Sequence, residues 1–476
     1  MKIKKQHILN KCKENLSQGL DSGGPVRSGP VVIASNLSYD ISARIRVIPG
    51  GGLGAIHLLV QRVRLVEAIN SDLHLFKRHL PSWESDHMLA LSYNVLTGGT
   101  CLQDLEALRQ DPAYLTALGV ERLPDPTTVG DFLRRFTQET PLLTLQEAFN
   151  TVRQRVWRQQ DAEFRQRAIL DVDGTHVATD GECKEGIDLA HNGIWGYAPL
   201  IISLDTTREV LYLVNRPGNV VSHDGAVAWI DRAIRLAKTT FTEVWLRGDT
   251  DFSLTTEFDR WDAEGVRFVC GLDAMPNLKH LAEGLPPEAW QRLERPPAYT
   301  VKTRPRKRPK RSKAEIVRQR AFKNIRLEWE EVAEFPYRPT KCRQPYRVVA
   351  LRKHLQIPQG DIVVGTQIRY FFYIPNDRAM MPPQVVAFSN DRCDQENHIE
   401  HLTNGIRALR CPGRDFYANW AYMVIAALAW NLKAWYGLVL PEKTLGAQVL
   451  RMEFKRFFQT LLHIPCQILR TGRRVV

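Results

Sequence analysis

A chain of 476 residues exceeds the usual size of one domain and leaves room for two or three. Its apolar content of 44% supports a real core, and a formal charge of +13 with a pI near 9.4 points to a polyanionic partner, because clustered Lys and Arg release counterions from a phosphate backbone. Eight cysteines (12, 101, 183, 270, 342, 393, 411 and 466) with no CxxC pair argue against a zinc site or a disulfide framework and for a reducing compartment.

The first 45 residues, basic at Met1-Lys-Ile-Lys-Lys and Gly/Ser-rich over 17–28, read as a loosely ordered arm with no export signal. From 46 to 160 the pattern is helical. Leu58, Leu59, Val63, Leu65 and Val66 form one stripe, and Met88 to Leu96 and Leu102 to Leu108 form others. Asp125-Pro-Thr-Thr-Val129 opens a capped helix that ends in Arg134 and Arg135. An all-helical N-terminal domain follows from this; docking on DNA through those arginines and a purely structural or dimerising bundle both fit it.

The period changes from 161 to 270. Ile169, Leu170 and Val172 predict a buried strand that ends in two carboxylates, Asp171 and Asp173, on one face. Such acids usually hold a metal or do chemistry, although Asp173-Gly174 could also simply start a turn. Leu200 to Leu204 and Val210 to Val214 predict a hairpin, and Ala226 to Ala237 a helix. Glu243 to Arg247 is a further strand, running out into Asp249 and Asp251. A helix over Thr255 to Ala263 then leads to a strand at Val266 to Cys270.

Residues 271–385 begin Pro-rich and then carry Lys302, Arg304, Arg306, Lys307, Arg308, Lys310, Arg311 and Lys313 without an intervening acid. The run fits nucleic-acid contact, and a solvated loop is the plainer alternative. Strand-like runs at Tyr346 to Ala350 and Ile368 to Ile374 put sheet in this basic insertion. Helix returns with Arg392 and Glu396, four apart on one face. The segment Phe416 to Leu440 has an uninterrupted apolar run only from Trp420 to Trp430, too short for a bilayer, and reads as a core helix. Residues 441–476 form a helical tail with a basic end.

These residues resemble insertion-sequence transposases of the DDE class, in particular the group with a Tyr-x2-Arg-x3-Glu-x6-Lys signature. The likeness runs from Leu96-Thr-Gly-Gly99 and Pro126-Thr-Thr-Val129 through Asp173-Gly-Thr175 and Arg247-Gly-Asp249 to Arg392-x3-Glu396 and Ala418-Asn419. The resemblance implies an α/β ribonuclease H-like catalytic core (161–270 and 386–440) interrupted by the insertion. It implies Asp173, Asp249 and Glu396 as the catalytic and metal-binding acids, and Arg392 on a DNA phosphate. Asp171 and Asp251 are the local alternatives, two residues away, and His176 and His223 either line the site or stand by it. The signature Tyr is replaced by Ser389, with Phe388 beside it, and the signature Lys by Thr403. Arg407, four residues after Thr403 on the same helical face, is the expected substitute.

The implied chemistry is Mg²⁺-dependent cut-and-paste transposition, with two ions about 4 Å apart held by hard oxygen ligands. Mn²⁺ is a possible substitute. Nicking at terminal inverted repeats is followed by a hairpin intermediate and strand transfer. The partners implied are double-stranded DNA and a second copy of the chain, in a bacterial cytoplasm at the nucleoid, with no membrane. A flipped base would need an aromatic surface, for which Trp290 and Trp329 are available unless they are core residues. Two other readings compete. Leu170-Asp-Val-Asp-Gly-Thr175 also resembles the motif of haloacid dehalogenase-like phosphatases, with Asp171 as nucleophile, but that family leaves Arg392-x3-Glu396 and the basic insertion unexplained. A DNA-binding protein that has lost cleavage is the other, for which Ser389 and Thr403 are the hint.

Overall fold

The computed structural model describes residues 46–79, 81–295, 325–359, 362–471 and 474–476. The described chain begins with helices α1 (Leu53–Arg62), α2 (Leu65–Asp72), α3 (Glu84–Leu96), α4 (Leu105–Arg109), α5 (Pro112–Leu118), α6 (Pro126–Leu133) and α7 (Glu139–Arg158). Local chemistry sets their ends. The Asp125 carboxylate accepts from the Thr128 amide at 2.9 Å and Pro126 follows it, so α6 starts where its first free N–H groups find a partner. The single stripe expected from Leu58 to Val66 is broken instead. Arg64 adopts a left-handed conformation (φ 59°) that separates α1 from α2, so Leu59, Val63 and Leu65 are buried while Leu58 faces solvent.

The rest is organised by a nine-stranded mixed sheet. Its strands are β1 (Arg167–Gly174), β2 (Leu200–Leu204), β3 (Glu209–Val214), β4 (Glu243–Gly248), β5 (Arg267–Leu272), β6 (Gln291–Arg292), β7 (Arg326–Tyr337), β8 (Tyr346–Gln359) and β9 (Ile362–Pro375), in the order β6-β7-β8-β9-β5-β4-β1-β2-β3. β1, β4 and β5 are parallel, whereas β2 runs against β1 and β3 against β2. Four strands, β1, β3, β4 and β5, therefore finish at one edge. The insertion contributes β6 to β9, an antiparallel meander that extends the same sheet through pairing of Phe372–Pro375 with Val269–Leu272. Its long strands exceed the short apolar runs visible in sequence.

On β1 the alternation works as expected. Ala168, Leu170 and Val172 are buried, and this sheet face is covered by α8 (Ala226–Lys238), whose Ala226, Ile230, Ala233, Ile234 and Ala237 make the matching stripe. Helices α9 (Phe258–Ala263) and α10 (Pro276–Glu283) flank the strands that follow. After β9 the chain returns through α11 (Pro382–Asn390) and α12 (Cys393–Glu400), a π-turn at His401–Gly405, and then α13 (Phe416–Val439) and α14 (Lys443–Arg451).

Helix α13 is buried along nearly its whole length, and the core runs through it from the sheet into the N-terminal helices. Ser92 of α3 donates to the Ile425 carbonyl at 3.0 Å. The fully buried Glu209 of β3 accepts from Arg153 Nε (2.9 Å) and Trp157 Nε1 (2.8 Å) of α7, from Trp435 Nε1 (2.7 Å) of α13, and from Thr207 Oγ1 (2.7 Å). Four donors satisfy a carboxylate that would otherwise be costly to bury. Among the described residues no helix is long and apolar enough to cross a membrane, and seven cysteines are free thiols.

Candidate active site

Adjacent parallel strands that end together bring their terminal side chains together. Asp173 ends β1 and Asp249 follows β4 directly, so the two acids meet at the shared edge of the sheet. Asp171 lies on the same face as Asp173 but one pleat further in, where the register sets it opposite Arg247. Arg247 Nε and Nη2 donate to its two oxygens, both at 2.7 Å; Nη2 also reaches Asp205 Oδ1 at 2.7 Å, and Nη1 reaches the Phe388 carbonyl at 3.1 Å. Asp171 is 1% exposed and both its oxygens are engaged. It is a structural ion-pair partner and has no free oxygen with which to attack a phosphate ester, so the phosphatase reading loses its nucleophile. Asp251 points to solvent and lends only its amide, which donates to Asp249 Oδ1 at 3.0 Å. Gly248 is required by this turn, since a Cβ there would lie 2.9 Å from that of Phe252.

The third acid arrives on α12. Gln395 is buried and accepts from Ser203 Oγ of β2, while His398, also buried, packs on Trp430 of α13 with ring centroids 5.2 Å apart. Arg208, at the β2–β3 turn, pairs with Asp394 at 2.9 Å. These contacts fix the helix with Glu396 on its outer side, 66% exposed at the side chain.

Arg392, at the head of α12, sits between the three acids. Its Nη1 donates to Asp173 Oδ2 at 3.1 Å, and its Nη2 lies 3.6 Å from Asp249 Oδ2 and 3.8 Å from Glu396 Oε1. Burial pushes the Asp173 carboxyl up to about 6; Arg392 opposes the shift and the charge of Asp249 adds to it. Asp249 is raised as well, by burial first. Two partly buried carboxylates thus share one guanidinium and remain short of positive charge. All donors are hard oxygens, which suits a hard divalent cation. Among the described residues no three His, Cys, Asp or Glu side chains are grouped closely enough to hold a metal ion.

The other expected residues lie elsewhere. Arg407 does not share a helical face with Thr403: the π-turn ends the helix, Thr403 Oγ1 donates back to the Ile399 carbonyl at 2.9 Å, and Arg407 is left-handed with φ 54°. Extrapolating the helix by four residues fails because the wider turn shifts everything after it. Phe388, beside Ser389, lies with its ring 5.0 Å from the Arg247 guanidinium carbon. Arg134 is exposed and pairs with Asp131, and Arg135 lies 4.8 Å above the Phe76 ring. The basic run with Arg304, Arg306, Lys307, Arg308, Lys310 and Arg311 falls outside the described residues. Trp290 and Trp329 are half-buried. Arg352 covers the first at 4.0 Å, and His354 stacks on the second at 3.6 Å. His223 is exposed, and His176 packs beside His191 at 5.5 Å. Sequence reasoning missed Arg247, Asp205 and the Ser203–Gln395 bond. An acid two residues before the first site acid, and an arginine two before the second, were the available signal for Arg247.

Two acids at the ends of adjacent parallel strands, one on a helix beside them and an arginine between the three thus form a carboxylate cluster at one edge of the sheet. Residues 46–476 match the family described as transposase DDE domain, group 1, and the chain belongs to that family. None of the curated proteins matches it. Among solved structures it is similar to the piggyBac transposase, in a synaptic complex with hairpin DNA. The TM-score is 0.38 and the identity 11%, over 87% of this chain and 82% of that one.

Proposed function

We propose that the protein cuts and rejoins DNA at the ends of an insertion sequence, with Asp173, Asp249 and Glu396 as its metal-binding acids. The observation that carries this reading is the convergence of those three carboxylates, from segments far apart in sequence, on the single guanidinium of Arg392. Strand order β3-β2-β1-β4-β5, with β2 alone antiparallel to the others, resembles a ribonuclease H-like core and supports the same reading.

In this proposal Asp173, Asp249 and Glu396 are the residues that would hold the metal. When bound there, two Mg²⁺ ions would make a water or 3′-hydroxyl more acidic and relieve charge at the leaving oxygen. Arg392 donates its N–H groups to a DNA phosphate and so positions the strand against the acids. Asp171, Asp205 and Arg247 keep β1, β4 and α11 in fixed relation beneath them. The double-stranded partner meets a basic chain of net charge +13, and pairing of two element ends calls for two copies of the protein.

The test is cleavage of a duplex carrying the inverted repeats that flank the gene, with Mg²⁺. The wild type nicks at the ends, while Asp173→Asn, Asp249→Asn and Glu396→Gln bind the same duplex in a mobility-shift assay and leave it intact. Normal cutting by Glu396→Gln would remove α12 from the site and overturn the triad.

A further inference from the structure

Arg392 occupies the space in which the acids would hold an ion. Its guanidinium is 14% exposed and has one nitrogen on Asp173 and the other between Asp249 and Glu396. Only the 3.1 Å contact is within hydrogen-bond reach; those at 3.6 and 3.8 Å are looser electrostatic contacts. A planar cation of this breadth touches three acids and partly neutralises them without drawing them in. Mg²⁺ instead requires oxygens at roughly 2.0–2.1 Å in near-octahedral array. The two cations cannot share the position: the guanidinium nitrogens stand among the oxygens an ion must gather, and like charges at this separation repel. Glu396, largely exposed, is free to turn inward once Arg392 leaves.

Resting on the transposase reading above, we propose that Arg392 is a resident counter-cation that keeps divalent metal out of the site until DNA draws it away. A phosphate of the bound strand offers the guanidinium a bidentate acceptor outside the triad. The side chain stands at the first turn of α12, immediately after α11, so a change of its torsions alone moves the guanidinium from acids to phosphate. Metal loading then depends on DNA, and in the free protein Arg392 partly neutralises the acids in the metal's place.

The experiment is Mn²⁺ titration calorimetry on the full chain, with no turnover required. Wild-type protein alone binds Mn²⁺ weakly. Arg392→Gln binds it at least about tenfold more tightly, as expected when a unit charge a few ångströms from the ion is removed. Arg392→Lys, which keeps the charge, stays near wild type. Addition of an element-end duplex tightens Mn²⁺ binding by the wild type to a similar degree and leaves Arg392→Gln unchanged, after subtraction of the signal from Asp173→Asn protein with the same duplex. Should Arg392→Gln fold poorly, the wild-type comparison with and without duplex decides the matter alone. Equal Mn²⁺ affinity of folded wild type and Arg392→Gln, or of wild type with and without duplex, overturns the proposal. If Asp173→Asn and Asp249→Asn leave Mn²⁺ binding untouched in the Arg392→Gln background, the triad itself is wrong, and the failure belongs to the functional reading.

Discussion

Replacing Arg247 with Met tests how the strands beneath the site are held. The guanidinium makes two 2.7 Å bonds to Asp171, one of 2.7 Å to Asp205 and one of 3.1 Å to the Phe388 carbonyl. Asp205 is 27% exposed at the side chain and can turn to water, but Asp171, at 2%, cannot. The substitution leaves a buried carboxylate alone, which costs about 3–5 kcal/mol. The cost depends on pH in a defined sense. Burial already raises the Asp171 carboxyl and Arg247 pulls it down, so loss of Arg247 raises it further. A folded-state pKa above the unfolded one gives stability that is full below the unfolded value and lost as pH rises through the folded value. The deficit of Arg247→Met is therefore large at pH 7.5 and shrinks toward pH 5. Urea unfolding followed by tryptophan fluorescence at both pH values measures it. Adding Asp171→Leu, which removes the stranded charge, recovers most of the loss. A deficit below about 1 kcal/mol at pH 7.5, or one that does not change with pH, would refute the reasoning.

Two further substitutions probe buried charge elsewhere. Lys433 is 1% exposed, donates to the Leu450 carbonyl at 3.1 Å, lies 4.1 Å from the Trp430 ring centroid, and is lowered to about 7 by burial. A lysine depressed on folding costs stability progressively as pH falls from its unfolded value toward 7. Lys433→Met should thus stabilise by roughly 2–4 kcal/mol at pH 7 and by little at pH 10; thermal melts at the two values check it, and an equal gain at both contradicts it. Glu209→Gln leaves one acceptor oxygen for four donors and strands the charge of Arg153. A loss of about 3–5 kcal/mol follows, with amides of α7 and α13 losing hydrogen-exchange protection together; unchanged protection in α13 would show that the network does not join them.

What could be read from the sequence was what one strand or helix turn carries. Leu170 and Val172 alternating with Asp171 and Asp173 placed β1, and Asp125-Pro126 placed the start of α6. The hairpin from Leu200 to Val214 was equally local. The role of Asp171 was not visible, because it depends on the register of two strands whose paired residues are 76 positions apart. Arg407 was misplaced because a π-turn leaves no mark in spacing. Strands β8 and β9 looked short because Arg352, Lys353, His354 and Gln367 interrupt their apolar runs, although each takes its place in the ladder. The acids were readable; what surrounds them was not.

Glu209 gathers donors from residues 56 positions earlier and 226 later, and Ser92 finds its acceptor 333 residues downstream. During synthesis α7 leaves the ribosome with Arg153 and Trp157 waiting for a strand and a helix not yet made. Closure must follow release of almost the entire polypeptide, which makes for slow folding and a long exposed interval. A message truncated anywhere before codon 416 yields no smaller working version, only an open core fit for a chaperone or a protease.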